Sequence, residues 1–290
     1  MDIGIIGIGL MGRAFVERFR SQGLTVGVFN RTRETVTDLE ESGVTLCASV
    51  DELIGSCDTM ILMVSHADAI REVLSLDRPE AQAPALQGKR ILQMATIAPS
   101  QSLAIEEAIS SRGGRYLEAP VLGSLPEARA GTLIVMAGGP QAVYEEALPV
   151  LQVLGSAPRH VGQTGSAAAL KLAMNQLIAA LTAGFSLSLG YAMKNGVEPE
   201  VFMDTVRESA LYAKTYDKKL DKYLSRDFGK ANFSTRHLLK DIRLFIDDAS
   251  AAGLNTAALE GIEQITRQTV EEGFDVMDYS SIFRSIVPEE

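Results

Sequence analysis

The chain begins with an apolar run that leads into three glycines at a fixed spacing. Residues 3–9 read IGIIGIG, and Gly7, Gly9 and Gly12 follow the pattern G-x-G-x-x-G. An amphipathic pattern typical of a helix follows directly, over residues 11–21. Between a strand and a helix, such glycines permit a tight turn, close approach of a ligand to the backbone, and close strand–helix packing. The N-terminus therefore predicts a βαβ unit with a parallel sheet.

Strand and helix patterns alternate through the first part of the chain. Predicted strands lie at residues 2–6, 25–29, 59–64, 90–94 and 115–118, with a further pair near 132–137 and 159–161. Predicted helices lie at residues 11–21, 33–41, 67–74 and 100–111. Alternation of this kind indicates a doubly wound parallel sheet of the Rossmann type, over residues 1–162.

The pattern becomes almost wholly helical after the segment GQTGS, residues 162–166. A long helix is predicted at residues 166–194, where Asn195 and Gly196 provide a helix C-terminus. Further helices are predicted at residues 199–209, 214–224, 234–252 and 257–272. The predicted fold class is therefore α/β, with the Rossmann domain followed by an all-α domain, residues 163–290.

The charge and cysteine content limit the classes of partner. The net charge is −10, without a long basic run, which argues against nucleic acid because phosphate contacts need clustered Lys and Arg. The N-terminal residues lack the basic and cleavage features of a signal peptide, and Cys47 and Cys57 suit free thiols. We expect a cytoplasmic protein without a metal site.

Residues 172–193 carry no charge and could be mistaken for a membrane span. The same stretch contains polar side chains, among them Asn175, Gln176, Thr182 and Ser186, which lipid would leave without partners. We interpret it as a buried central helix rather than as a membrane segment.

The glycine pattern identifies a cofactor. The free N–H groups at the start of the first helix, around Leu10 and Met11, would bind a pyrophosphate, which predicts dinucleotide binding. An acid normally follows about 20 residues later and binds the adenosine ribose. Asn30, Arg31 and Thr32 stand there instead, in the segment FNRTRE. A guanidinium can pair with a 2′-phosphate that a carboxylate would repel, so the sequence favours NADP over NAD. The alternative is a solvated turn.

Four blocks of the chain resemble the β-hydroxyacid dehydrogenase family, which includes 3-hydroxyisobutyrate dehydrogenases and semialdehyde reductases. They are GIGLMG at 7–12, EAPVLGSLPEARAGTL at 118–133, GQTGSAAALKLAMN at 162–175 and LLKDIRLFIDDA at 238–249. Their order and the change from α/β to all-α match the family. The segments FNRT and Gly123–Ser124 look most like the branch of NADPH-dependent glyoxylate/succinic semialdehyde reductases.

The resemblance implies the chemistry and its residues. Lys171 matches the family's catalytic lysine, which protonates the alkoxide formed when NADPH reduces an aldehyde acid. Asn175 lies one helical turn later and orients Lys171 or the substrate. Further carry-overs are the cofactor contacts Met63, Val64, Thr96 and Lys240, and the substrate contacts Leu122, Gly123, Ser124, Phe233 and Asp241. The resemblance also implies a homodimer or higher homo-oligomer formed through the helical domains.

One residue departs from the family pattern. Leu122 stands in PVLG where the family has P-V-S-G, with a serine whose hydroxyl contacts the substrate. An apolar side chain cannot replace that hydrogen bond, which points away from glyoxylate and toward a longer or less polar aldehyde.

Two other functions remain as alternatives. An imine reductase has a related fold, but that group generally lacks the catalytic lysine that Lys171 matches. A non-catalytic NADP-binding scaffold or sensor would not need Lys171, Asn175 and Lys240 together.

Overall fold

The computed structural model describes residues 1–79 and 84–289, and the chain divides into two compact units. The first is Met1–Lys171 and the second is Leu172–Glu290, so the division falls inside a long helix. The sequence places the domain boundary earlier, at residue 162, before that helix begins.

The first unit is built on a mixed, mostly parallel sheet. In the described residues its strands are β1 Ile3–Ile6, β2 Val26–Phe29, β3 Thr45–Leu46, β4 Thr59–Leu62, β5 Arg90–Gln93, β6 Arg115–Glu118, β7 Val121–Leu122, β8 Ile134–Gly138 and β9 Arg159–Gly162. The strand order is β3-β2-β1-β4-β5-β6-β8-β7, and β9 pairs with β8. Strands β1 to β6 are parallel, which confirms the Rossmann prediction. Strand β8 runs antiparallel to β6 and β7, so the sheet is not parallel throughout.

Helices accompany the strands of the first unit. They are α1 Leu10–Ser21, α2 Val50–Ser56, α3 Ala67–Val73, α4 Pro99–Ser110, α5 Leu125–Ala130 and α6 Gln141–Leu154. The predicted helix at residues 33–41 is wrong in type, because the chain there forms two 3-10 segments, Arg33–Thr35 and Thr37–Ser42. Strands β3 and β7 and helices α2, α5 and α6 were not predicted.

Successive strand residues bury opposite faces of the sheet. Ile5 packs with Phe15 and Phe19 of α1 in one apolar cluster, whereas Ile6 packs with Met60 and Ile91 in the other. The strands therefore read as continuous apolar runs, as expected for a sheet covered on both sides.

The second unit is helical apart from one isolated β-bridge in its described residues, which confirms the all-α prediction. Its elements are the remainder of α7 Ser166–Lys194, then α8 Pro199–Glu208, α9 Lys214–Ser225, α10 Thr235–Ala251, α11 Ala257–Thr269 and α12 Ile282–Ile286. Helix α11 ends before the predicted residue 272, and a turn of π-helix, Val270–Phe274, follows it.

Helix α7 is, among the described residues, the one helix long and apolar enough to cross a membrane. Its polar side chains Asn175, Thr182 and Ser186 are nevertheless buried within the structure. Burial of these groups is what the interpretation as a central core helix requires.

Candidate functional site

Three predicted cofactor segments lie at the same edge of the sheet. The strand order reverses between β1 and β4, and the carboxyl ends of neighbouring strands lie level, with Ile6 paired to Phe29 and to Leu62. Ligands of doubly wound sheets bind at such a switch point. The glycine loop follows β1, Asn30 follows β2, and Met63–Val64 follow β4 at this edge.

The three glycines differ in what surrounds them. Gly7 adopts φ +93°, and a Cβ there would lie 2.6 Å from the carbonyl oxygen of Met63. A Cβ on Gly12 would lie 2.2 Å from the carbonyl oxygen of Gly7. A Cβ on Gly9 would meet no atom within 4 Å. Gly7 and Gly12 therefore permit the fold of the loop, whereas Gly9 leaves the space in front of the loop open.

The first turn of α1 offers backbone N–H donors to that space. Helix α1 starts at Leu10, which is 60% exposed, and continues with the half-buried Met11. The first backbone bond of the helix is from Arg13 N to Gly9 O, and no side chain of the described residues caps the preceding N–H groups. An uncapped helix N-terminus beside an open glycine loop fits a dinucleotide pyrophosphate.

Asn30 connects the end of β2 to the glycine loop. Its Oδ1 accepts a 3.0 Å hydrogen bond from Ile8 N, and its Nδ2 donates to Thr32 O and to Thr35 Oγ1, both at 3.0 Å. A carboxylate could accept the bond from Ile8 but could not donate to Thr32. The amide at this position is therefore needed for the local hydrogen-bond network and not only for avoiding negative charge.

The two arginines that follow Asn30 differ in their surroundings. Arg33 forms a 3.3 Å ion pair with Glu40. Arg31 and Thr32 are exposed where the loop leaves β2. The guanidinium of Arg31 has no ion pair with any described residue, so it is available to a phosphate.

The remaining cofactor candidates of the first unit follow β4 and β5. Met63 continues the sheet through a 2.8 Å bond from its N–H to Ile6 O, and Val64 comes next, half-buried. Thr96 is also half-buried, three residues beyond the end of β5. Topology therefore brings these three residues to the same edge as the glycine loop.

Local backbone pairing and hydrogen bonds fix the predicted substrate loop, residues 122–124. Leu122 ends β7, where it pairs with Ile134, and Gly123 follows at φ +128°. Ser124 caps α5, and its N–H and its hydroxyl both donate to the carboxylate of Glu127, at 2.9 and 2.5 Å. Glu127, which the sequence pattern did not single out, thus already occupies the N–H of Ser124, a predicted substrate contact.

Lys171 and Asn175 lie one turn apart on α7, and the structure gives Asn175 a defined orientation. Asn175 is 3% exposed, and its Nδ2 donates a 2.6 Å hydrogen bond to Asp241 Oδ2. Because a carboxylate only accepts, the amide must present its NH₂ to Asp241. Its Oδ1 is buried and has no hydrogen-bond partner in the described chain, so it is an acceptor available to a ligand.

Asp241 also fixes Lys240. Asp241 is 3% exposed, and Lys240 Nζ lies 2.8 Å from its Oδ1, near enough for an ion pair although not aligned as a hydrogen bond. The buried carboxylate of Asp241 thus contacts both the amide of Asn175 and the ammonium group of Lys240.

Phe233 lies just before α10 and packs partly buried against Tyr279, with ring centroids 5.8 Å apart. The ring of His237, to which the sequence argument gave no role, stacks on Phe233 at 6.3 Å. Partial burial of that ring, together with the charge of Lys240, lowers the pKa of His237.

No group of three or more His, Cys, Asp and Glu suited to a metal ion occurs in residues 1–79 and 84–289. Cys47 and Cys57 are free and buried, and burial raises the pKa of Cys57 to about 11.

A Rossmann-type sheet with an open glycine loop, followed by a helical unit, is the architecture of many NAD(P)-dependent oxidoreductases, and the family matches decide whether this chain is one of them. Residues 2–165 match the family described as the NAD-binding domain of 6-phosphogluconate dehydrogenase. Residues 165–286 match the family described as the NAD-binding domain of NADP-dependent 3-hydroxyisobutyrate dehydrogenase. The chain belongs to the β-hydroxyacid dehydrogenase family, whose enzymes act on CH–OH groups.

Individual relatives are similar to this chain over nearly its whole length. Glyoxylate/succinic semialdehyde reductase 1 of Arabidopsis thaliana is 31% identical over 99% of this chain and 98% of its own length. The human cytokine-like nuclear factor N-PAC is 27% identical over 98% of this chain and 51% of its own length. Among solved structures, 3-hydroxyisobutyrate dehydrogenase of Mycobacterium tuberculosis has a TM-score of 0.86 at 22% identity and covers 98% of both chains.

Proposed function

We propose that the protein is an NADPH-dependent reductase that interconverts a short aldehyde acid, of the semialdehyde or glyoxylate type, and its hydroxy acid. The observation that carries this proposal is the buried Asn175–Asp241 pair, one helical turn from Lys171 on α7. Burial of the Asp241 carboxylate is costly unless it is paired, and here the pairing orients an amide one turn from the proposed proton donor.

Each side chain has a separate role in the proposed reaction. Bound NADPH supplies the hydride that adds to the aldehyde carbon. Lys171 donates a proton to the developing alkoxide and recovers it from solvent, so that the aldehyde, one hydride and one proton give the alcohol. Asn175 Oδ1 accepts a hydrogen bond from the ammonium of Lys171 or from the product hydroxyl. Asp241 holds Asn175 in the orientation that this requires.

NADPH is the proposed reductant rather than NADH. The exposed guanidinium of Arg31 and the hydroxyl of Thr32 stand where an NAD-specific protein has an acid. Lys240, held by Asp241, adds a second cation for the cofactor in this proposal.

The substrate end of the proposal favours an aldehyde with some apolar surface. Leu122 contributes methyl groups where the family has a hydroxyl, and the donors of Ser124 are engaged by Glu127. An aldehyde acid whose carboxylate binds at Ser124 would have to displace the Glu127 carboxylate. A longer semialdehyde can instead use Leu122, at about 0.8 kcal/mol per buried methylene.

A substrate panel tests the proposal. Purified protein is assayed with NADPH against glyoxylate, succinic semialdehyde, tartronate semialdehyde and methylmalonate semialdehyde, with cyclic imines as a separate arm. We expect steady NADPH consumption with at least one aldehyde acid and a higher kcat/KM for the four-carbon aldehydes than for glyoxylate. Turnover of imines alone, or NADPH binding without any turnover, would contradict the proposal.

A cytoplasmic homodimer, or a higher homo-oligomer, completes the proposal. Leu177, Leu181 and Tyr191 are 47%, 36% and 72% exposed on α7, at spacings that keep them on one face. Such a face suits burial against a second copy. Light scattering on eluted protein should give the mass of a dimer or larger, and Leu177→Glu should reduce it. A native monomer would contradict this part.

A further inference from the structure

Glu118 is a buried acid to which neither the sequence pattern nor the proposed mechanism assigns a role. It is the last residue of β6, is 1% exposed, and pairs across the sheet with Gly138 of β8. A carboxylate in such a place is costly unless several donors satisfy it.

The donors come from the start of the helix that carries Lys171. Glu118 Oε1 accepts hydrogen bonds from Ala167 N at 2.6 Å and from Ala168 N at 3.2 Å. These are the second and third residues of α7, whose N–H groups have no acceptor inside the helix. Glu118 thus caps α7 from a different element, and its charge suits the positive end of the helix dipole.

The other carboxylate oxygen of Glu118, Oε2, is bonded by a side chain of α4. Ser102 Oγ donates to Glu118 Oε2 and is itself bonded to Tyr116 OH at 2.8 Å. The pKa of Glu118 is raised, because burial outweighs the lowering effect of Ser102 and of the helix N–H groups. Donors from α4 and α7 therefore satisfy both oxygens of the carboxylate, and the bonds from α7 alone form the helix cap.

The absence of a side chain at Gly138 leaves room for the Glu118 carboxylate beside the start of α7. A Cβ on Gly138 would lie 2.4 Å from Glu118 Oε1 and 3.1 Å from Ala167 N. A side chain at residue 138 would therefore push the carboxylate away from the helix that it caps.

We propose that Glu118 is a positioning residue, which fixes the first turns of α7 and so holds the ammonium of Lys171, one turn beyond Ala167, in its reactive place. This inference rests on the proposed role of Lys171 as proton donor. A helix start that can rotate or fray would move Lys171, and a misplacement of about 1 Å can cost on the order of 10² in rate.

The test separates positioning from general stability. Glu118→Ala removes both acceptors, whereas Glu118→Gln keeps an oxygen for Ala167 and Ala168, and its NH₂ can donate to Ser102. We expect Glu118→Ala to lower kcat by about 10- to 100-fold while the Kd for NADPH changes by less than about twofold. Glu118→Gln should restore kcat to within about threefold of native. Rates are expressed per NADPH-binding site, so that loss of folded protein does not count.

Two further variants complete the design. Ser102→Ala is the matched control, because it removes a partner of Oε2 and leaves the cap in place; its kcat should remain near native. Gly138→Ala should reproduce Glu118→Ala, and it decides the matter if Glu118→Ala does not fold. A native kcat in Glu118→Ala or Gly138→Ala, or a Glu118→Gln protein as slow as Glu118→Ala, would overturn the inference. If Lys171→Ala is itself fully active, the proposed function has failed instead.

Discussion

The side-chain amide of Asn175 on α7 donates a 2.6 Å hydrogen bond to the buried carboxylate of Asp241 on α10, 66 residues away. Since the carboxylate can only accept, it determines which end of the Asn175 amide is left for a ligand. The pair therefore orients Asn175 so that its Oδ1 is the acceptor left for a ligand.

Replacement of Asp241 by Asn should remove this orientation. In Asp241→Asn the two amides can pair in either sense, and Lys240 loses its 2.8 Å ionic partner. We expect kcat to fall by about tenfold or more, which corresponds to about 1.5–3 kcal/mol for a charged hydrogen bond. Asp247→Asn, at an exposed position of the same helix, is the control and should be neutral. Equal kcat values in both variants would show that the pair does not orient the site.

Replacement of Arg31 should change cofactor preference. The native protein should use NADPH at least about tenfold better than NADH in kcat/KM, because one charge-assisted contact contributes about 1.5–3 kcal/mol. Arg31→Ala should reduce that ratio, mainly through KM for NADPH. Arg33→Ala is the control: the native Arg33 already pairs with Glu40, so its removal should leave the ratio unchanged. Equal use of the two cofactors by the native protein would refute the assignment.

The glycine loop offers a test that separates folding from binding. Gly9→Ala places a methyl group in open space, so Tm should stay unchanged while NADPH affinity falls. Gly12→Ala places a methyl group 2.2 Å from Gly7 O, and this clash should lower Tm. Gly55→Ala, in α2 with no atom within 4 Å, is the control and should be neutral or stabilising by up to about 1 kcal/mol. Undiminished NADPH binding by Gly9→Ala would mean that the cofactor does not cross this loop.

Restoration of the family serine should shift substrate preference. Leu122→Ser replaces a half-buried leucine at the end of β7 with a hydroxyl. A hydrogen bond of about 0.5–1.5 kcal/mol would raise kcat/KM for glyoxylate by a few-fold to about tenfold. A longer aldehyde should lose rate through the missing apolar contact. The ratio of kcat/KM between the two substrates is measured for both proteins, and an unchanged ratio would place Leu122 outside the substrate pocket.

Periodicity predicted the main elements of both units because the buried strands and the long helix have strong, uninterrupted patterns. It failed where local interactions compete with the pattern. Residues 33–41 look helical, but Thr35 Oγ1 donates to Thr32 O and accepts from Asn30, which favours short 3-10 turns. Helix α6 was missed because Pro149 lies inside it.

Motif spacing predicted the glycine loop because its residues are contiguous. It could not pair Asn175 with Asp241 or Glu118 with Ala167, since these contacts depend on packing between distant elements. Acids at the end of a buried strand, such as Glu118, are a signal that the sequence does contain. Only the structure shows which donors they meet.

The turnover of Lys171→Ala tests the central claim most directly. The variant is assayed with NADPH and the best aldehyde acid of the panel, and NADPH binding is measured by fluorescence titration in parallel. If Lys171 protonates the alkoxide, kcat should fall by about 10²–10⁴, the usual range for general acid catalysis, with little change in NADPH affinity. A variant that binds NADPH normally and turns over at a near-native rate would contradict the account.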